Sequence, residues 1–307
     1  MNTTSPAAPL WGAASEQRVL LPVRRREDWP REAPAGLPIR RICVLDTETT
    51  GLDADRHQII EICAAIVAVN EEGRIVALEH LGTGLNDPGH PLGKEITALT
   101  GLTDAALENQ SINRDKLVAF IGRCNGVLAF NAAFDRPFVD KLLPALAPMP
   151  WACAMRDVPW RGLGVEPGPQ NYLLMQAGRY NVASHRARDD VLSLIELLDH
   201  VCADGESVMG KVLWAMDRPA WRFEASNAAY GYRNDLKAQR YRWAPERSHQ
   251  LWHKHVRATE FRDEYRWYKQ VVGKRPVIVP LPATERYRAD SAWQPVREKL
   301  QTPAWMR

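Results

Sequence analysis

The chain has 307 residues, with 40 Lys and Arg against 37 Asp and Glu; 25% of residues are charged and 45% hydrophobic. At about 100 to 200 residues per domain this is room for one large domain or two ordinary ones, and it excludes a disulfide miniprotein, a collagen-like repeat and a wholly disordered chain. No stretch approaches the roughly 18 consecutive apolar residues of a membrane helix. The start, MNTTSPAAPLWGAASEQ, lacks a positive leader before an apolar run, and Cys43, Cys63, Cys124, Cys153 and Cys202 show no CxxC spacing. A soluble, cytoplasmic protein with reduced core thiols and no membrane partner is expected.

In chain order, residues 1–37 mix Pro, Ser, Ala and the cluster Arg24, Arg25, Arg26 without apolar periodicity, which reads as a flexible or surface-hugging arm. Residues 38–204 alternate strand-like runs (ICVL, IIEICAAIVAV, GVLAF) with helical patterns starting near Asp115, Arg136 and Arg186, so an α/β sheet domain is expected. Residues 205–275 read as a small α+β domain, with RYRW and QLWHKHV as a hairpin and ATEFRDEYRWYKQVV as a helix, and 276–307 as a tail.

Cutting the chain after Asp204 exposes an uneven charge. The first part carries 20 Lys and Arg against 26 acids; the remainder carries 20 against 11, a balance of +9, and holds 7 of the 11 Trp. Cations interleaved with rings are the composition expected where phosphates are neutralised and bases stack. Trp and Tyr in a small domain are equally the stuff of its core, so the summed charge is the stronger part of this signal.

The chemistry starts at RRICVLDTETTGL, where a strand ends in Asp46 and Glu48. Positions i and i+2 of a strand point to one face about 7 Å apart, and Ile42 and Val44 share that face. Two carboxylates there need protonation, water or a cation to relieve their repulsion. In SHRARDDVLSLIELLDHV the apolar stripe Ala187, Val191, Leu194, Leu198 and Val201 puts Asp190 on the core side and Asp189 about 100° away, towards solvent. A core-side acid needs a metal ion or a partner such as Arg186 or Arg188. Asp135, in GVLAFNAAFDRPFV, falls in the first turn of a helix with Asn131 as N-cap, where the macrodipole favours an ionised carboxylate. Oxygen ligands without cysteine suit Mg²⁺ or Mn²⁺ rather than zinc. His185, just ahead of Asp190's helix, can hang over the same pocket as a general base, its ordinary pKa lying near 6.5.

DTETTGL, NAAFD and HRARDD resemble, in order and spacing, the three motifs of the DnaQ-like 3'-5' exonucleases of the DEDDh subgroup, the family that includes the epsilon proofreading subunit of bacterial DNA polymerase III. The resemblance spans residues of about 40 to 202. It implies a ribonuclease-H-like fold with a mixed five-stranded sheet flanked by helices. It implies that Asp46, Glu48, Asp135 and Asp190 hold two Mg²⁺ or Mn²⁺ ions and that His185 activates the attacking water. Thr47 and Leu52 match positions that contact the terminal nucleotide, and Phe134 one that lines the strand; Glu61 is left outside the metal site. The stretch DLKAQRYRWAPERSHQLWHK is similar to a short Leu-Lys-Ala, Tyr-x-Trp, Trp module appended to some exonucleases of this group, with Gln239 and Arg240 where an Arg-Gly pair is expected.

The expected activity is therefore hydrolysis of DNA from a single-stranded 3' end to nucleoside 5'-monophosphates, in proofreading or repair, beside a replication or repair polymerase. An RNA 3'-5' exonuclease is the alternative within the same chemistry, and a non-catalytic nucleic-acid-binding scaffold the alternative outside it.

Overall fold

The computed structural model describes residues 19–182, 185–226, 228–244 and 251–289. Strand β1 (Leu21–Pro22) precedes three long strands, β2 (Arg40–Thr49), β3 (Ile59–Val69) and β4 (Ile75–Leu85). Helices α1 (Lys94–Thr100), α2 (Asp104–Leu107) and α3 (Arg114–Ile121) lead into β5 (Gly126–Ala129), α4 (Ala132–Leu142), β6 (Trp151–Cys153) and α5 (Ala154–Asp157). Then come α6 (Gln170–Gln176), β7 (Arg179–Tyr180), the long α7 (Ala187–Asp199) and α8 (Val208–Asp217). A second group comprises β8 (Ala220–Glu224), α9 (Arg233–Ala238), β9 (Arg242–Ala244), β10 (Leu251–Arg257), α10 (Phe261–Val271) and β11 (Val277–Pro280).

The first sheet has the order β4-β3-β2-β5-β6, with β3 antiparallel to β2 and β4, and β5 parallel to β2 and β6. This is the expected mixed five-stranded sheet flanked by helices. The run IIEICAAIVAV is buried along its whole length, which accounts for its near-continuous apolar character; Glu61 is the exception. Ile42 and Val44 face a core completed by Leu173 of α6, Val191, Leu194 and Leu198 of α7, and Val212 and Met216 of α8. Cys43 and Leu45 face the opposite core, closed by Ile121 of α3 and Phe138 and Val139 of α4. The alternation along β2 thus feeds two cores, and the first of them continues past Asp204 to Met216. All five cysteines are buried thiols.

The pairing of β2 positions the site. Its parallel register with β5 ends at Val44 opposite Leu128, whereas its antiparallel register with β3 continues to Thr49, so Asp46 and Glu48 overhang the end of β5. The chain turns there into α4. In open α/β sheets a strand whose neighbours diverge in this way borders a crevice at its carboxyl end.

The second sheet is antiparallel, in the order β11-β8-β10-β9. Of the expected β9–β10 hairpin the described residues show the antiparallel pairing of Arg242–Ala244 with Leu251–Arg257, Trp243 opposite Trp252, and ATEFRDEYRWYKQVV supplies α10. Phe223, Val256, Phe261, Tyr241 and Tyr268 form the core between this sheet and its helices, with Trp221, Trp252 and Trp267 packed against it. Most rings of this segment are therefore structural.

Over residues 19–37 the arm lies against the first unit. Trp29 is 4% exposed within its core, β1 pairs with β7, and Arg24 bonds Glu196 and Asp199 at 2.8 and 2.6 Å. Beyond β11 the chain returns to the first unit: Arg136, wholly buried, donates to the carbonyls of Ala147, Thr284 and Arg286 at 2.6 to 2.8 Å, and the Tyr287 hydroxyl donates to Asp157 at 2.5 Å. Residues 1–18 of the arm, PERSHQ of the appended module and 290–307 of the tail lie outside the described residues. Among the described residues no helix is long and apolar enough to cross a membrane.

Candidate active site

Asp46 and Glu48 leave the same face of β2, and Asp190 reaches them from the first turn of α7. Carboxylate oxygens of the three lie within 4.8 Å of one another. Asp135 does not join them within that distance; it sits in the first turn of α4, on the far side of the sheet from α7, and its Oδ1 accepts from the Thr47 hydroxyl at 2.9 Å. Because Thr47 points to the opposite face of β2 from Asp46, it ties Asp135 to the same strand end from below. The acids thus converge from both faces on the overhang of β2.

The electrostatics record this crowding. Burial, then the charges of Asp135, Asp190 and Glu48, push the Asp46 carboxyl well above the usual carboxylate range. Burial and the neighbouring charges of Asp190 and Glu61 raise Glu48 to about 7. Burial raises Asp135 to about 7 against the opposing bond from Thr47. Burial also raises Asp190, although the His185 N–H, 2.9 Å from its Oδ2, favours its charged form. A cluster of oxygen donors that resists ionisation beside its own kind is a fit for hard divalent cations, which neutralise it without requiring protons.

His185 has φ +67°, a left-handed conformation uncommon for a residue with a Cβ, and is exposed. Its main-chain bond to Asp190 places it at the rim of the acid cluster whatever its ring does. Asp189, expected towards solvent, is half-buried; its carboxylate is not part of the cluster, and its main-chain carbonyl accepts from Asn181 and Ser193. Asn131 stands at the N-cap position of α4, but its side chain makes no capping bond, and its buried Oδ1 has no partner among the described residues.

The residues expected at the substrate differ in setting. Leu52, in the turn after β2, is 86% exposed. Phe134 is half-buried with its ring 5.2 Å from Phe138. Thr47 is buried and its hydroxyl is committed to Asp135.

One functional arrangement was not read from the sequence. Glu61 lies directly opposite Glu48 in the β2–β3 register and is 1% exposed. Like charges paired across a sheet are destabilising. Arg186 answers with two bonds to Glu61, at 2.9 and 3.1 Å, and the Glu61 Oε2 also accepts the Ala187 N–H at the start of α7. Arg186, one of the two arginines considered as a partner for Asp190, is thereby engaged by Glu61. A lone acid inside IIEICAAIVAV was the available signal, since an acid buried on both sides calls for a cation.

A model of the exonuclease family, RNase_T, matches residues 43–198, a span holding all three motifs. The DNA polymerase III PolC-type of Thermotoga petrophila is 33% identical over 110 residues, 35% of this chain and 8% of that polymerase. The PolC-type polymerase of Streptococcus pyogenes serotype M2 is 38% identical over 99 residues, 32% of this chain and 6% of that one. The chain thus spans less than a tenth of the length of these curated relatives. Similar solved structures include exonuclease X with 5' overhanging duplex DNA, at 24% identity and a TM-score of 0.38 over 55% of this chain and 99% of that one. An E. coli ExoI–ssDNA complex in its zinc-bound form is 14% identical, with a TM-score of 0.42 over 63% of this chain and 49% of that one. The family model covers half of the chain and takes in the strand end where Asp46 and Glu48 meet Asp190: the chain belongs to the exonuclease family.

Proposed function

We propose that the protein is a divalent-metal-dependent 3'-5' exonuclease that shortens DNA from a single-stranded 3' end and releases nucleoside 5'-monophosphates. The observation that carries this reading is the convergence of Asp46, Glu48 and Asp190 within 4.8 Å. Asp135 is held beside them by Thr47. A binding scaffold has no use for such a cluster, because it repels the polyanion it would bind.

In this reading Asp46, Glu48, Asp135 and Asp190 hold two ions, Mg²⁺ or Mn²⁺, which when bound polarise the scissile phosphate and lower the pKa of nearby water. His185 accepts the proton of the attacking water, its position at the rim fixed through its main-chain bond to Asp190. Leu52 offers an exposed apolar surface to the terminal base, and Phe134 a ring along the strand. Thr47 serves as a positioning residue for Asp135. Glu61 and Arg186 anchor the start of α7, and with it Asp190. Similarity to PolC-type DNA polymerases supports proofreading or repair beside a polymerase as the setting.

The test is degradation of 5'-labelled dT20 and rU20 with Mg²⁺ or Mn²⁺, with and without EDTA. Stepwise shortening of dT20 from its 3' end, stopped by EDTA, is the expected result. Shortening of rU20 alone would move the substrate to RNA, and binding without cleavage of either would leave a non-catalytic binder.

A further inference from the structure

Between the first unit and the β9–β10 hairpin lies a cleft of about 450 Å³. Ala133 and Pro137 of α4 and Arg156 of α5 line one side. Arg240, Arg242, Lys254 and Arg257 line the other, with Arg288 from the returning chain. Six guanidinium or ammonium groups thus line the cleft beside two acids, and of the six Lys254 is paired with Glu264 and Arg288 with Asp140 and Glu285, outside the lining. Both acids are engaged: Asp157 accepts from the Tyr287 hydroxyl and the Cys153 N–H, and Glu260 pairs with Arg257. The cleft is built, too, since Arg257 donates to the Arg156 carbonyl across it at 2.9 Å.

Arg240 is the most telling member. The Arg240 N–H bonds the Lys237 carbonyl and the Tyr241 N–H bonds the Leu236 carbonyl, the paired closure that ends a helix with a left-handed residue. Arg240 occupies that left-handed position, φ +66°, where glycine is the default. A side chain there is strained, and strained positions that persist are found where the side chain has a use. Arg240 is exposed, and among the described residues neither it nor Arg156 has a carboxylate partner.

The cleft also adjoins the helix that carries Asp135. On α4, Ala133 and Pro137 are four residues apart and share a face, while Phe134 is about 100° round from Ala133 and Asp135 lies on the opposite side. Phe134 thus lies on α4 between Asp135 and the residues that line the cleft.

We propose that this cleft is a second binding site, which holds the sugar-phosphate backbone of the nucleic acid upstream of the 3' end. The proposal rests on the exonuclease reading for the direction of the strand, but binding itself is measurable without catalysis. Cations, not rings, grip the strand here, because the aromatic residues of this unit are mostly spent in its core.

The test uses the full chain in EDTA and fluorescence anisotropy with 5'-fluorescein dT20 and rU20 across a salt series. Arg156→Ala/Arg240→Gly should raise Kd roughly five- to tenfold at low salt. The slope of log Kd against log salt should fall by about 1.4, twice the roughly 0.7 for each single-strand phosphate contact. Arg240→Gly alone should weaken binding while its melting temperature stays level or rises, since glycine suits the turn; a merely structural arginine would move both together. Lys269→Ala, an exposed cation of α10 outside the cleft, serves as the charge control. Equal losses with dT20 and rU20 identify the shared backbone as the ligand. An unchanged salt slope, or an equal effect from Lys269→Ala, overturns the cleft. Cleavage of neither oligonucleotide in Mg²⁺ by wild-type protein would remove the exonuclease reading and leave the binding result intact.

Discussion

Arg186 holds Glu61 by two nitrogen-to-oxygen bonds, and Glu61 lies directly across the sheet from Glu48. Removing the arginine leaves a buried acid facing another acid. Arg186→Ala is expected to cost about 1 to 3 kcal/mol, below the usual figure for a fully buried pair because the Arg186 side chain is 43% exposed. Adding Glu61→Gln should restore part of that stability, as the amide oxygen still accepts the Ala187 N–H. Thermal melts of the two singles and the double form the cycle; an Arg186→Ala loss that Glu61→Gln does not relieve would show that the pair is not what matters.

Asp190 and Asp189 are neighbours with different surroundings. We expect Asp190→Asn to abolish hydrolysis, about 10³-fold or more, and Asp189→Asn to leave most of it, because only the former belongs to the acid cluster. Single-turnover rates on dT20 decide the matter, and equal damage would mean that the helix phase assigned to the cluster is wrong.

Thr47→Val keeps the volume and loses the hydroxyl. Asp135 then lacks the bond that favours its charged form, so its carboxyl should rise further and bind cations less readily. A Mg²⁺ titration should show half-saturation at roughly tenfold higher metal, in line with loss of an outer-shell partner. Unaltered metal dependence would remove Thr47 from this role.

Glu48 and Asp135 are both raised to about 7, above their ordinary 4.5 and 3.8. Between those values and 7 the metal-free native state binds more protons than the unfolded state, so stability falls as pH rises through 7. The contribution of these groups is fully present below about pH 4 and lost above 7. Metal-free protein should therefore melt lower at pH 8 than at pH 6, Mg²⁺ should raise the melt more at pH 8, and Glu48→Gln should flatten the metal-free trend. A slope identical in Glu48→Gln and wild type counts against the assignment.

His185→Ala should depress turnover by about 10² or more while calorimetric Mg²⁺ binding stays near wild type. Parallel loss of metal affinity would recast the His185 side chain as a support of the metal site, since alanine keeps the main-chain bond to Asp190, and not as a base.

The sequence carried the parts of this molecule that local periodicity controls. A period of two set Asp46 and Glu48 on one face of β2, and helical phase set Asp190 on the inner side of α7. The β9–β10 hairpin and α10 were legible for the same reason. Tertiary pairings were not: Arg186, weighed with Arg188 as the alternative to a metal ion at Asp190, bonds Glu61, and the bond from Thr47 to Asp135 had no local signal. Trp29 had no periodic neighbours, so its place in the core was invisible, and the rings past residue 205 gave no sign of which face they would take.

The hold of Arg136 on residues 284 and 286 engages main-chain oxygens that every amino acid possesses. Drift in the side chains of that crossing segment therefore leaves the clasp intact, whereas replacing Arg136 undoes it at a stroke. The freedom stops at Arg286 and Tyr287, whose buried side chains fasten the same strap from its other side.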